Sequence, residues 1–222
     1  MEELNPSESC ELGKKEYWEE FYSIELENFG DSGDTGEIWF GKKNLERIVN
    51  WLCKNEVDKD LPILDVGCGN AMTLVSLAKA GYTDLTGVDY AQEAIDLSKK
   101  IVEQKNLNIT LETLDFLGAN LDSSSALYSK KFHIVIDKGT YDAICLDRQN
   151  AALKRKKYIE QVLRILSSAG FFLLFSCNWT KDELLQHFDA FSIHDEIDIP
   201  SISFGGKSGQ TVTALVLKKC VL

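Results

Sequence analysis

The stretch from Leu61 to Tyr90, LPILDVGCGNAMTLVSLAKAGYTDLTGVDY, constrains this chain more than any other. Ile63, Leu64 and Val66 form a short apolar run that ends at Gly67-Cys68-Gly69, and apolar residues then recur at helical spacing from Thr73 to Ala80. A buried strand that turns sharply into a helix has this pattern, and it is one half of a βαβ unit. Gly67 and Gly69 leave the turn without side chains, so a ligand can lie against the backbone while the N–H groups opening the helix face the same crevice. A second strand, Leu85 to Val88, ends in Asp89. An acidic residue about 20 positions beyond a glycine turn is placed to accept hydrogen bonds from both hydroxyls of a ribose. The unit predicts a crevice that binds a nucleoside.

A dinucleotide fold takes G-x-G-x-x-G, because its third glycine brings the helix against the strand and a pyrophosphate onto the helix N-terminus. Met72 stands at that position here. Asp65, two residues before Gly67, places negative charge where a diphosphate is disfavoured but an ammonium or sulfonium group can be held. A cationic, phosphate-free nucleoside therefore fits better than NAD. The arrangement resembles motifs I and II of the Rossmann-like S-adenosylmethionine-dependent methyltransferases, with Ala71 in place of that family's third glycine. A glycine turn in an α/β domain that binds something else is the plainer alternative, and the joint spacing of Asp65 and Asp89 weighs against it.

At 222 residues and 44% hydrophobic content the chain is long enough for one domain with a substantial core. Its 24 basic against 35 acidic residues give a formal charge of −11, which repels phosphate backbones and favours a basic partner over nucleic acid. The run Lys154-Arg155-Lys156-Lys157 reads as a solvated helix face. Six cysteines are scattered without C-x-x-C or His/Cys zinc spacing, which predicts reduced thiols and no metal. No apolar segment is long enough to cross a membrane as a helix, so a cytoplasmic location is expected.

Residues 1–12 are acidic and polar and are expected to form a flexible tail without chemistry. An amphipathic helix from Lys14 to Phe29 precedes the loop Gly30–Gly36, the segment Glu37-Ile38-Trp39-Phe40-Gly41 and a helix from about Lys43 to Lys54. Trp39 and Phe40 are either core packing or a wall against a cofactor or substrate amine. Beyond the βαβ unit come a helix (Ala91 to Gln104), a strand (Ile109 to Leu114) ending at Asp115-Phe116, and a polar segment from Leu117 to Lys131. The central strand Phe132 to Ile136 runs into Asp137-Lys138-Gly139-Thr140-Tyr141-Asp142 at the same sheet edge. Asp115 reads equally simply as a helix or turn cap, whereas for Asp137 a strand-end cap is the plainer alternative, against which its place in the motif weighs. A helix from Ala151 to Leu166, a strand from Gly170 to Phe175, a helix from Lys181 to Phe188 and a late strand pair complete the chain. That pair, Phe191 to Ile199 and Thr211 to Lys218, is joined by a glycine-rich connector. N/D-P-P-Y/F, the motif of many nucleobase and glutamine methylators, is absent.

Five segments extend the resemblance over nearly the whole chain: Gly33–Gly41, Asp65–Asn70, Asp137–Ala143, Ser176–Thr180 and Phe204–Gly206. They are similar to the protein lysine methyltransferases of the seven-β-strand class, and among these to the elongation factor 1-alpha lysine methyltransferase 2 family. D-x-G-x-G is shared very widely, whereas W-F-G, D-K-G-T and S-C-N-W-T in this order are specific. The resemblance implies an α/β fold with a Rossmann-like seven-stranded sheet, mostly parallel with a C-terminal antiparallel hairpin, and helices on both faces. It implies a single domain over residues 13–222, including an N-terminal helical segment (13–60), that acts as a monomer. It also implies S-adenosylmethionine as cofactor and translation elongation factor 1-alpha as protein partner. The cofactor set it implies is Trp39, Asp65, Gly67, Cys68, Gly69, Asn70, Asp89, Tyr90, Asp115, Phe116 and Asp137. For methyl transfer the expectation is that Asp137 orients the amine while Trp39, Phe40 and Tyr141 wall its channel. A small-molecule methyltransferase and a non-catalytic scaffold of the same fold are the rivals.

Overall fold

A computed structural model of the chain describes residues 10–118, 127, 130–147, 150–200, 202–204, 207–209 and 212–220. After a 3-10 turn at Glu11–Gly13, the elements in order are α1 (Lys15–Ser32), α2 (Gly41–Lys54), β1 (Ile63–Val66), α3 (Met72–Lys79), β2 (Leu85–Asp89) and α4 (Gln92–Gln104). Then follow β3 (Thr110–Thr113), β4 (Phe132–Lys138), α5 (Thr140–Leu146), α6 (Ala151–Ile165), β5 (Leu166–Ser176), α7 (Lys181–His187) and β6 (Phe191–Glu196). The last three are β7 (Ile202–Phe204), β8 (Lys207–Gly209) and β9 (Thr213–Lys219).

Seven strands form one sheet in the order β3-β2-β1-β4-β5-β9-β6. Strands β1 to β5 are parallel, and β9 lies antiparallel to both β5 and β6. Every residue of β1 and β2 is buried, as central strands covered on both faces must be. The strands alternate their side chains between two apolar layers. Ile63, Ile134, Ile136 and Leu173 pack with α2 and α3, through Ile48, Leu52, Leu74 and Leu77. Leu64, Val135, Phe172 and Leu174 pack on the opposite face with Tyr158 and Val162 of α6 and Leu184 of α7. Helix α1 adds Tyr22 to a third cluster, against Leu97 and Ile101 of α4.

The seven-stranded, mostly parallel sheet and the late antiparallel pair agree with the expectation. Three details differ. Phe40 enters the left-handed region (φ 64°) as the residue before α2, which therefore starts at Gly41. The fifth strand begins at Leu166, directly at the end of α6. The glycine-rich connector carries a small antiparallel pair of its own, β7 with β8. Most of the polar segment 117–131 and residues 1–9 lie outside the described residues.

Candidate active site

In the sheet register Val66 lies beside Val88 on one side and Asp137 on the other. The segments that follow β1, β2 and β4 therefore leave the sheet at one level. A pocket of about 530 Å³ opens there, a size suited to a small-molecule ligand. Of the residues singled out from the sequence, Trp39, Phe40, Gly67, Cys68, Gly69, Asn70, Asp89, Tyr90, Asp115 and Phe116 line it. Asp65, Asp137 and Tyr141 do not.

Asp89 anchors the end of the pocket beside β1 and β2. Its Oδ2 accepts the Gly69 N–H at 3.0 Å and its Oδ1 the Ala91 N–H at 3.0 Å. With the Tyr90 N–H also bonded to this carboxylate, one lone-pair site remains for a further donor. Burial raises this carboxyl to about 6, with the hydrogen bonds from Ala91 and Gly69 opposing it. The glycines of the turn have a more specific cause than ligand access. A Cβ on Gly67 would sit 2.1 Å from Thr140 Oγ1, and one on Gly69 would sit 2.2 Å from the Tyr22 hydroxyl. Both positions have positive φ as well, 66° and 53°. Asn70 carries the turn's connection to the N-terminal segment, donating through Nδ2 to the carbonyls of Thr35 and Glu37, each at 2.9 Å. Asp115 is exposed and caps its own turn, Oδ1 accepting from the Leu117 N–H at 2.9 Å. Phe116 is buried against the Tyr158 ring, centroids 5.4 Å apart.

The structure corrects three assignments. Asp137 is fully buried, and its oxygens accept from the N–H groups of Thr140 (3.0 Å) and Tyr141 (2.9 Å) and from the Tyr158 hydroxyl. It caps α5 instead of facing an amine. Tyr141 is also fully buried and shares a hydrogen bond with His187 Nδ1 at 2.9 Å, so it walls no channel. Asp65 is buried and does not line the pocket, and the Lys138 cation acts on it. Burial pushes Asp65 up to about 7 and Lys138 down, and each charge partly offsets the shift of the other. Trp39 and Phe40 line the pocket. Phe40 covers Gly139, where a Cβ would lie 3.1 Å from the ring. Trp39 packs edge-on against Trp18 with centroids 4.9 Å apart, and its Nε1 is buried with no partner among the described residues.

Several lining residues escaped the sequence reading. Lys138 and Asp142 stand inside the D-K-G-T-Y-D motif, and Cys177 and Asn178 inside S-C-N-W-T; the motifs were visible but the side chains facing the pocket were not. Leu12, Gly13, Trp18 and Tyr22 come from the N-terminal segment, part of which had been read as a tail without chemistry. Gly13 lies so close to α5 that a Cβ would meet Asp147 N at 2.5 Å. Lys154 and Lys157, expected on a solvated face, reach the pocket edge, and Lys154 is paired with Asp147.

The family described as a methyltransferase domain matches residues 57–199. A human relative named EEF1A lysine methyltransferase 2 is 47% identical over 210 residues, covering 94% of this chain and 86% of its own. This chain belongs to that methyltransferase family. Protein-lysine N-methyltransferase efm4 of Schizosaccharomyces pombe is 33% identical, with 93% of each chain covered. Among solved structures, an S-adenosylmethionine-dependent methyltransferase from Clostridium acetobutylicum shares the fold, with a TM-score of 0.63 at 13% identity over 91% of this chain and 98% of that one. Leu12, Trp18, Tyr22 and Trp39, which also line the pocket, fall before the residues that the methyltransferase-domain family matches.

Proposed function

We propose that this protein transfers a methyl group from S-adenosylmethionine to a lysine side chain of translation elongation factor 1-alpha. The observation that carries the reading is the 47% identity to the human relative across 94% of the chain, which spans both halves of the pocket. The pocket's chemistry supports the cofactor. Asp89 keeps a lone-pair site for a ribose hydroxyl, and the unpartnered Trp39 Nε1–H is a donor suited to a carboxylate. Asp115, Phe116 and Tyr90 form the end of the crevice beside β2 and β3, where they receive the adenine. Gly67 to Asn70 form the floor.

When bound, the cofactor supplies an electrophilic sulfonium methyl, so that an N–C bond forms as the S–C bond breaks. The protein's share is alignment, exclusion of water and delivery of a neutral amine. A free lysine has a pKa of about 10.4 and is almost entirely charged at neutral pH. The apolar faces of Trp39 and Phe40 and the neighbouring cation of Lys138 all disfavour the charged form. The transferred amine then gives up its proton to solvent. The net charge of −11 suits encounter with a basic protein surface rather than nucleic acid. Among the described residues no helix is long and apolar enough to cross a membrane. We take the working form to be a single-domain cytoplasmic monomer.

Recombinant protein incubated with radiolabelled S-adenosylmethionine and purified elongation factor 1-alpha should label the factor, and the same band should dominate in a cell lysate. Label confined to another protein, or to the small-molecule fraction, overturns the substrate assignment.

A further inference from the structure

We propose that Asp142 is the carboxylate that receives and orients the acceptor amine, a role that rests on the methyl-transfer reading above. The motif D-K-G-T-Y-D holds two aspartates, and the fold gives them different tasks. Asp137 is enclosed and committed to three donors within the protein. Asp142, 4% exposed, lies in the first turn of α5 and lines the pocket together with Lys138, Cys177 and Asn178.

Its geometry is that of a fixed acceptor. Oδ1 takes the Ser176 hydroxyl at 2.6 Å and Oδ2 takes the Cys177 N–H at 2.7 Å. Ser176 Oγ in turn accepts the N–H groups of Asn178 (3.2 Å) and Trp179 (3.1 Å), so the loop after β5 is wound around this one hydroxyl–carboxylate pair. The two strand-end segments that flank the acceptor side of the pocket, after β4 and after β5, are thus joined through Asp142. Two braced oxygens, which the Cys177 thiol and the Asn178 N–H also approach, can exchange these weaker donors for N–H bonds from an incoming amine and turn its own lone pair toward the cofactor side of the pocket. The cofactor half already uses Asp89 in the equivalent manner, so the pocket has one buried carboxylate at each end.

Burial raises the Asp142 carboxyl, and the Ser176 and Cys177 hydrogen bonds hold it down. The titratable groups around it are Asp137 from β4, Cys145 from its own helix and Cys177 from the loop after β5, and Lys138 lines the same pocket. Removing the Ser176 hydroxyl therefore moves the carboxyl further up while leaving it in place.

The test compares wild type, Asp142→Asn and Ser176→Ala for turnover on elongation factor 1-alpha and for binding of S-adenosylhomocysteine by titration calorimetry. Asp142→Asn should lower kcat by roughly 30- to 100-fold while cofactor-product affinity stays within about threefold. Ser176→Ala should keep most of the turnover and shift the acid limb of its pH profile upward. Asp142→Asn turnover within threefold of wild type overturns the role, as does a parallel loss of cofactor affinity. Should Asp142→Asn not fold, an unmoved acid limb in Ser176→Ala overturns it instead. Wild type labelling the factor beside an unimpaired Asp142→Asn sinks this assignment alone, whereas no labelling by wild type sinks the substrate reading.

Discussion

Asp89 Oδ2 accepts the backbone N–H of Gly69 at 3.0 Å, so the carboxylate that closes β2 also pins the glycine turn that follows β1. One side chain thereby sets both the shape of the cofactor floor and the position of the acceptors above it. Asp89→Ala removes both at once. Loss of hydrogen bonds to a buried charged group corresponds to about 1–3 kcal/mol, or roughly 5- to 150-fold in affinity for S-adenosylhomocysteine. Titration calorimetry measures this directly, and an unchanged Kd would remove Asp89 from the ribose.

The contact between Gly69 and Tyr22 makes a reciprocal prediction. Gly69→Ala drives a methyl to 2.2 Å from the Tyr22 hydroxyl, and it should displace α1 and abolish measurable cofactor binding. Tyr22→Phe deletes the oxygen that collides. The double variant should regain part of the lost affinity, short of wild type because φ remains 53°. A double variant no better than Gly69→Ala would show that the backbone angle, not the hydroxyl, fixes this glycine.

Asp137 makes a stability prediction. Asp137→Asn turns an amide NH₂ toward groups that themselves donate, leaving at least one buried N–H or O–H without an acceptor. The cost is about 1–3 kcal/mol, which for a chain of this size lowers Tm by roughly 2–12 °C. Calorimetric melting of the two proteins checks it. An equal Tm would mean the cap at the start of α5 contributes nothing.

Three buried carboxyls give the protein an unusual response to pH. Asp65 and Asp137 are raised to about 7 and Asp89 to about 6, in each case chiefly by burial, from an ordinary value of 3.8. A folded carboxyl that binds its proton more tightly than the unfolded chain is stabilising below its ordinary value, and that stabilisation is lost as pH rises through the folded value. Between pH 4 and 7 these groups make the ligand-free protein less stable as pH increases. Melting curves across this window should show Tm falling toward neutrality, and a rising Tm contradicts the direction.

Much of this site was legible in the sequence because its cofactor half is local. The strand, glycine turn, helix and second strand from Ile63 to Asp89 carry their own signals, and their spacing alone located the crevice. The acceptor half depended on which face each residue of β4 presents. Strand alternation puts Lys138 on the side of Ile134 and Ile136, the same side that Asp65 shares with Ile63, so these two charges meet. Asp137 falls on the other side, beneath Tyr158 of α6. That parity is countable from the sequence once the first residue of β4 is fixed. The wall built by Leu12, Trp18 and Tyr22 had no local signal at all. It arises from α1 docking against α4, a contact between segments separated by more than sixty positions.

The sheet order β5-β9-β6 has a consequence for how the molecule is made. β6 emerges during synthesis before β9, yet β9 is its one neighbour in the described sheet and also the strand that covers the edge of β5. Until Thr213–Lys219 is available, β5 presents an open row of backbone donors and acceptors, and β6 has nowhere to pair. The closing step is therefore an insertion between two waiting strands, a long-range pairing of the kind that slows folding. A nascent chain of this protein stays vulnerable to edge-to-edge association until β9 has been translated.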